Sequence, residues 1–169
     1  METEVKKKNI DYRTLDVSGL GGWLILVQIS LYASILSLII QLFAYLSPDY
    51  ISETWNVLTS EESMFYHPLW GPTLIFEVVC NSLLLLFSLY ILIMLYRKKS
   101  ALPRLMIVLL SVSLLAEIID TLLLFQIPLA REAGSGTAAM RNLVKSLISC
   151  AIWIPYFLKS DRVKSTFIK

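Results

Sequence analysis

The possible fold of this chain is constrained most by an apolar run from Leu105 to Ile127, because Glu117 and Asp120 interrupt this run one helical turn apart. A helix rises 1.5 Å per residue, so about 20 apolar residues cross a hydrocarbon core of about 30 Å. Charged groups at that depth are costly, and they face a bundle interior or an aqueous cavity where they find partners. The other apolar segments are therefore predicted to surround these two acids.

Apolar residues make up 56% of the 169-residue chain, whereas an ordinary soluble domain has about 45–50%. The excess lies in four blocks, at residues 23–46, 71–96, 105–127 and 139–158. The sequence therefore predicts an all-α polytopic membrane protein, a four-transmembrane-helix bundle formed by residues 19–158. Residues 1–18 are predicted to be a flexible N-terminus, and residues 159–169 a basic tail that lies on the membrane interface.

The distribution of basic residues predicts the orientation of the chain. Twelve of the 15 lie before the first block, between the second and third, or after the fourth: Lys6, Lys7, Lys8, Arg13, Arg97, Lys98, Lys99, Arg104, Lys159, Arg162, Lys164 and Lys169. The positive-inside rule then places both termini in the cytoplasm. The same residues are expected to contact anionic lipid headgroups at the cytoplasmic face. The net charge of +2 carries no nucleic-acid signal, and we expect no such partner.

Polar residues within the blocks predict an intramembrane cluster, made of Glu77, Asn81, Glu117 and Asp120 facing Arg141 and Lys145. By helical rise, Asp120 lies about 12 Å and Lys145 about 9 Å below the outer ends of their blocks. Three interpretations fit this match. The residues form an ion-pair lock between helices, they handle ions or protons, or the bases snorkel to the surface while acids are protonated.

Three other features have a functional and a structural interpretation. Ser30, Ser34, Ser37, Gln41 and Tyr45 share one face of the first block. We favour a packing face with inter-helical hydrogen bonds over a face that lines a polar path. Cys80 and Cys150 are interpreted as small core residues rather than a redox pair. The single histidine, His67, has no second ligand nearby, so no metal site is expected.

Three segments together resemble a known family. They are Gly-Gly-Trp-Leu at 21–24, Pro-Arg-Leu-Met-Ile at 103–107, and Ile-Trp-Ile-Pro-Tyr-Phe-Leu-Lys-Ser-Asp-Arg-Val-Lys-Ser-Thr-Phe at 152–167. On these segments the chain resembles the bacterial inner-membrane family called domain of unknown function 2569. The resemblance covers residues 19–168. The resemblance implies a four-span protein of the bacterial inner membrane, and it implies no particular activity.

The sequence carries no catalytic constellation, so we do not expect an enzyme. No nucleophile has a matched base, and no phosphate-binding glycine loop or metal-ligand spacing is present, so no cofactor is expected. Two functional classes remain. The first is an accessory or scaffolding component that packs against a larger membrane protein or a second copy. The alternative is a small oligomeric transporter or an ion- or proton-handling protein that uses the intramembrane acids.

Overall fold

The computed structural model describes residues 21–48 and 53–167, and this part of the chain contains helices and no strand. The helices are α1 (Trp23–Tyr45), α2 (Trp55–Thr59), α3 (Trp70–Tyr96), α4 (Leu102–Gln126), α5 (Pro128–Glu132), α6 (Ser135–Lys159) and α7 (Asp161–Thr166). The predicted all-α class is confirmed for these residues. The segment predicted to be a flexible N-terminus, 1–18, lies outside them.

Three of the helices, α1, α3 and α4, are long and apolar enough to cross a membrane. Their surfaces expose large apolar side chains, such as Phe43 at 74% and Leu86 at 65%, as expected for helices that face lipid. The prediction of four membrane spans is thus confirmed for three. Helix α6 has the length of a span at 25 residues, but Arg141, Lys145 and several serines make it less apolar than the other three.

Local chemistry explains where the long helices begin and end. Pro103 lies in the first turn of α4, where a missing N–H costs nothing. Ile127 adopts an extended conformation between α4 and α5, because the next residue, Pro128, disfavours a helical predecessor. Gly134 then takes a φ of 81° and allows α6 to start at Ser135, four residues before the predicted block.

The four long helices pack in the order in which they follow one another along the chain. Helix α1 packs on α3, α3 on α4, and α4 most extensively on α6, while no comparable interface joins α1 to α6 within the described residues. The bundle is therefore an array with one open side, between α1 and α6.

A hydrophobic core closes the end of the array where α1 begins and α6 ends, which we call the basal end. Leu24, Leu95, Leu102 and Phe157 from the four long helices meet there. The segment predicted to be an interfacial tail also contributes, because Val163 of α7 is 1% exposed and packs in the same core. The basic tail is thus docked on the bundle through its apolar side chains.

Two of the segments that carry the family resemblance meet at the basal end. Gly22 has a φ of 60°, and a Cβ atom added to it would lie 2.8 Å from Nη1 of Arg162. The Arg162 side chain also lies next to Gly21, where the corresponding distance is 3.3 Å. The two glycines thus let an arginine from α7 lie directly on the backbone that enters α1.

A second, smaller core lies at the opposite end, which we call the distal end. Trp70, Leu124, Ile127, Ala130 and Ala139 form it, so it joins α3, α4, α5 and α6. No residue of α1 belongs to either this cluster or its partly buried neighbours. The distal half of α1 is therefore the least packed part of the four long helices.

Candidate functional site

A cavity of about 670 Å³ lies between the four long helices, and all four contribute to its wall. It extends from Tyr45 and Glu77 towards the distal end to Ser88 and Leu109 near the basal core. By helical rise, Glu77 and Ser88 are about 16 Å apart along α3. The cavity is therefore deep, and the basal core forms its floor.

Four of the six predicted cluster residues line this cavity: Glu77, Asn81, Glu117 and Asp120. Arg141 and Lys145 do not line it, and both side chains are exposed. The structure thus brings the acids and Asn81 together and leaves the two bases apart from them.

The predicted pairing of Asp120 with Lys145 is not present. The ion pair found in the described part of the chain joins Lys164 and Asp161, 3.8 Å apart and on one helix. The rotation of α6 explains the difference. Asn142 and Ser146 turn towards the cavity, and at about 100° per residue this directs Arg141 and Lys145 away from Asp120. The prediction of an ion-pair lock was therefore wrong about which residues pair, although Asp120 and Lys145 lie at similar depths.

The polar face of α1 lines the cavity rather than packing against another helix. Ser34, Ser37, Gln41 and Tyr45 belong to the wall, whereas Ser30 does not. The predicted packing face is thus wrong for these four residues, whereas the inter-helical hydrogen bonds predicted with it are present at Gln41 and Tyr45. The reason is that α1 packs mainly through its basal half, where Leu24, Val27, Leu31 and Ile35 are buried.

Hydrogen bonds connect α1 to α3 across the cavity wall. The Tyr45 hydroxyl donates to Oε2 of Glu77 at 2.7 Å. Asn81 donates from Nδ2 to Oε1 of Gln41 at 3.4 Å, and Gln41 donates from Nε2 to Oγ of Ser37 at 3.0 Å. These contacts hold the Glu77 carboxylate against the distal half of α1, which otherwise makes few contacts.

The three acids concentrate negative charge in the cavity. The carboxyl groups of Glu77 and Asp120 lie within hydrogen-bonding reach of each other, and Glu117 is close enough to interact with Asp120 electrostatically. Oδ1 of Asp120 is buried and has no hydrogen-bond donor among the described residues. Because two neighbouring carboxylates repel each other, a proton or a cation beside them is favoured.

Two hydroxyl groups near the acids are buried without a partner. Thr73 is 0% exposed and Thr121 is 4% exposed, and neither Oγ1 makes a hydrogen bond within the described part of the chain. Each lies four residues from an acid, Thr73 from Glu77 and Thr121 from Glu117, so each shares a helical face with that acid. A buried hydroxyl of this kind costs free energy until a partner is supplied.

Small and polar residues of α6 and the two cysteines, which the predicted cluster does not include, also line the cavity. Those of α6 are Ser135, Ala138, Ala139, Asn142, Ser146, Ser149 and Cys150. Their spacing of three and four residues was the signal that predicts a helix face of this kind. Cys80 also lines the cavity, and both thiols are free. Cys150 is buried, as expected of a core residue, and its Sγ lies 3.4 Å from the carbonyl oxygen of Leu110.

No group of three His, Cys, Asp or Glu side chains suited to hold a metal ion occurs within residues 21–48 and 53–167. His67 makes a hydrogen bond within its own loop, where Nδ1 accepts from the backbone N–H of Leu69 at 3.3 Å. The acids of the cavity therefore stand apart from the single histidine.

Apolar helices that enclose an acidic cavity define a helical integral membrane protein, and comparison with known sequences agrees with that class. The chain belongs to the family described as Protein of unknown function (DUF2569), whose family model matches residues 17–168. Inner membrane protein YdgK of Escherichia coli K12 is 26% identical over 149 residues, which cover 88% of this chain and 93% of that protein. No solved structure matches the chain. The family predicted from the three sequence segments is confirmed.

Proposed function

We propose that this protein is a cation-binding protein of the bacterial inner membrane, with its binding site in the acidic cavity. This is the ion-handling alternative of the sequence analysis, and it needs no chemical step in the protein. One observation carries the proposal. Three carboxyl groups line the cavity, and none of the described lysines, arginines or histidines does. An excess of one charge inside a low-dielectric wall attracts the opposite charge.

The proposed topology has four spans and both termini in the cytoplasm. Helix α6 acts as the fourth span because it packs antiparallel along α4 and turns its polar residues to the cavity. The basal end carries Arg97, Lys98 and Lys99 between α3 and α4, Arg104 in the first turn of α4, and Arg162 and Lys164 on α7. By the positive-inside rule this end faces the cytoplasm, and the acids then lie in the outer half of the membrane.

An accessory or scaffolding role is the second candidate, and the open side between α1 and α6 supports it. A second copy or a larger membrane protein that covered this side would complete the bundle. We rank this role below cation binding, because the polar face of α1 lies on the cavity rather than on an outer surface.

Cys80 provides a test of the proposal, since this native thiol lies on the cavity wall. In a Cys150→Ser background, the rates of Cys80 modification by a cationic and an anionic methanethiosulfonate reagent are compared. Both rates are normalised to those with a free thiol. Because both reagents meet the same thiol, their ratio reports the local potential. We expect the cationic reagent to react about tenfold faster or more, the change that corresponds to about 1.4 kcal/mol of attraction.

Replacing the acids should abolish this preference. The variant Glu77→Gln/Glu117→Gln/Asp120→Asn should bring the normalised ratio close to one. Glu61→Gln removes an acid from an exposed position outside the cavity wall and should leave the ratio unchanged. Equal rates for the two reagents in the Cys150→Ser protein, or no reaction with either, would count against cation binding in the cavity.

A further inference from the structure

The open side of the bundle connects the cavity to the surrounding lipid. Helices α1 and α6 both contribute to the cavity wall, but beyond the basal core they share no extensive interface within the described residues. On the same side they expose large apolar side chains, Ile40 on α1 and Ile148 on α6. A ligand with an apolar portion can therefore extend from the cavity into the lipid through this side.

The two intramembrane bases lie at the edge of the cavity on that same side. Ala139 packs in the distal core with Leu124 of α4, and Asn142 lines the cavity. Angles around the axis of α6 are measured here from Asn142. Ala139 lies about 60° to one side of it, whereas Lys145 lies about 60° and Arg141 about 100° to the other side. The bases are thus on the side of α6 that faces away from α4, next to the opening.

These positions separate two opposite charges across one edge of the cavity. The acids are inside, and Arg141 and Lys145 are exposed at the rim without a hydrogen bond or ion pair to other described residues. By helical rise, Asp120 and Arg141 both lie about 9 Å below the distal ends of their helices. A zwitterion that carries a cation and an anion in one headgroup matches this order of opposite charges.

We propose that the cavity binds a phospholipid whose headgroup carries a primary ammonium. The ammonium lies among Glu77, Glu117 and Asp120, the phosphate lies at Arg141 and Lys145, and the acyl chains leave between α1 and α6. This inference rests on the proposed cation-binding function and specifies its ligand class.

The acceptor groups of the cavity fit an ammonium better than a cation without N–H groups. A primary ammonium has three donors. Oδ1 of Asp120 is a buried acceptor that has no donor among the described residues. The carboxyl oxygens of Glu77 and Glu117 on the same wall are further acceptors. A ligand that donates several hydrogen bonds would therefore satisfy Oδ1 of Asp120 and its neighbouring acceptors.

The size of the cavity favours a lipid headgroup with its chains outside. A volume of about 670 Å³ is in the usual range of small-molecule sites, about 300–1,000 Å³. It accommodates a headgroup and its glycerol, but two long acyl chains need more room. Because the open side faces the surrounding lipid, the chains remain there, and we therefore assign the ligand to the membrane rather than to the aqueous phase.

Native mass spectrometry of the detergent-solubilised full-length protein tests this inference. Equal amounts of phosphatidylethanolamine, phosphatidylcholine and phosphatidylglycerol with identical chains are added, and the retained lipid is counted. Phosphatidylcholine keeps the phosphate but has no N–H donor, and phosphatidylglycerol has no cation. We expect one retained phosphatidylethanolamine, at about tenfold the level of either control, as for the loss of hydrogen bonds to charged groups.

Variants separate the two ends of the headgroup. Glu77→Gln/Asp120→Asn should lower phosphatidylethanolamine to the level of phosphatidylcholine. Arg141→Gln/Lys145→Gln should lower the retention of all three lipids. Glu61→Gln and Arg131→Gln, on exposed distal residues outside the cavity wall, serve as matched controls and should change neither. The comparison of the three lipids on the unmodified protein does not depend on the folding of any variant.

Other outcomes would overturn the inference. Preferential retention of phosphatidylglycerol would mean that the bases alone select the headgroup. Displacement of the lipid by free phosphoethanolamine at equal concentration would place the ligand in the aqueous phase. Absence of retained lipid, together with preferential labelling of Cys80 by the cationic reagent, would refute the lipid and leave cation binding intact. Absence of both would refute the inference and the proposed function together.

Discussion

Replacing Gly22 with alanine tests the contact between the N-terminal end of α1 and helix α7. Gly22 has φ 60° and ψ −135°, a backbone conformation that costs a residue with a side chain about 1–3 kcal/mol. The new Cβ atom would also lie 2.8 Å from Nη1 and 3.2 Å from Cζ of Arg162. The guanidinium is the end of a flexible side chain and moves aside, at the cost of its packing on the glycine.

The expected loss combines these two effects. Alanine has less backbone entropy than glycine in the unfolded chain, and this difference offsets the loss of folding stability by about 0.4–1 kcal/mol. With the displacement of Arg162 included, we expect Gly22→Ala to lower the free energy of unfolding by about 2 kcal/mol. In a chain of this size that corresponds to a decrease of about 4–8 °C in melting temperature.

Two other glycines provide matched controls in the same thermal unfolding assay, followed by tryptophan fluorescence in detergent. Gly134 has a φ of 81° but no atom within 4 Å of an added Cβ, so Gly134→Ala should show the backbone cost alone. Gly71 lies inside α3 with only an ordinary contact to Thr59 at 3.9 Å. Gly71→Ala should therefore stabilise the protein by about 0.5–1 kcal/mol.

A double-mutant cycle isolates the contact with α7. In an Arg162→Ala background, Gly22→Ala should cost at least about 0.5 kcal/mol less than in the native chain, the coupling typical of residues in contact. An identical cost in both backgrounds would refute the contact. A cost no greater than that of Gly134→Ala would refute the argument from the Gly22 backbone and its neighbour together.

Three further predictions use the same assay. Lys98 has a φ of 50° at the end of α3, so Lys98→Gly should stabilise the protein by about 1 kcal/mol. Lys99→Gly is the control and should not stabilise it. A destabilised Lys98→Gly protein would contradict the argument from the Lys98 backbone. Tyr45→Phe removes a 2.7 Å hydrogen bond to a carboxylate of α3 and should cost about 1–3 kcal/mol, so an unchanged melting temperature would mean that the bond does not contribute. Asp120→Asn and Lys145→Gln should be additive within about 0.5 kcal/mol, and a larger coupling would restore the ion pair.

The lengths and ends of the long helices were predictable from the sequence. The predicted blocks 23–46, 71–96 and 105–127 correspond to Trp23–Tyr45, Trp70–Tyr96 and Leu102–Gln126. Apolar runs bounded by basic or turn-forming residues fix these ends, because in lipid every backbone polar group must be satisfied within the helix. Helix α6 was less well predicted, since its first turn contains small polar residues rather than apolar ones.

The partners of the charged residues were not predictable in the same way. Helical rise gives the depth of Lys145 and Asp120, and their depths match, but it does not give the rotation of α6 about its axis. That rotation depends on the residues that pack on α4, such as Ala139 and Cys150, and hence on the tertiary structure. Depth alone therefore suggested an ion pair that the rotation of α6 prevents.

The polar face of α1 shows a related limit. Residues such as Ser34, Ser37 and Gln41 at helical spacing are equally compatible with a packed interface and with a cavity wall. The choice depends on what lies opposite the helix, and within the described residues α1 shares no extensive interface with α6 beyond the basal core. The helical spacing therefore identified the residues that share this face, but it did not predict whether the face packs against a helix or lines a cavity.

The docking of α7 also has a consequence for biosynthesis. Arg162 and Val163 follow the fourth long helix in the sequence, yet they pack at the basal end beside Gly22 and Leu24, near the start of the first long helix. During synthesis this contact can therefore form only after α7 has been translated, when all four long helices already exist. A chain truncated before α7 would contain every long helix and still lack the residues that complete the basal core.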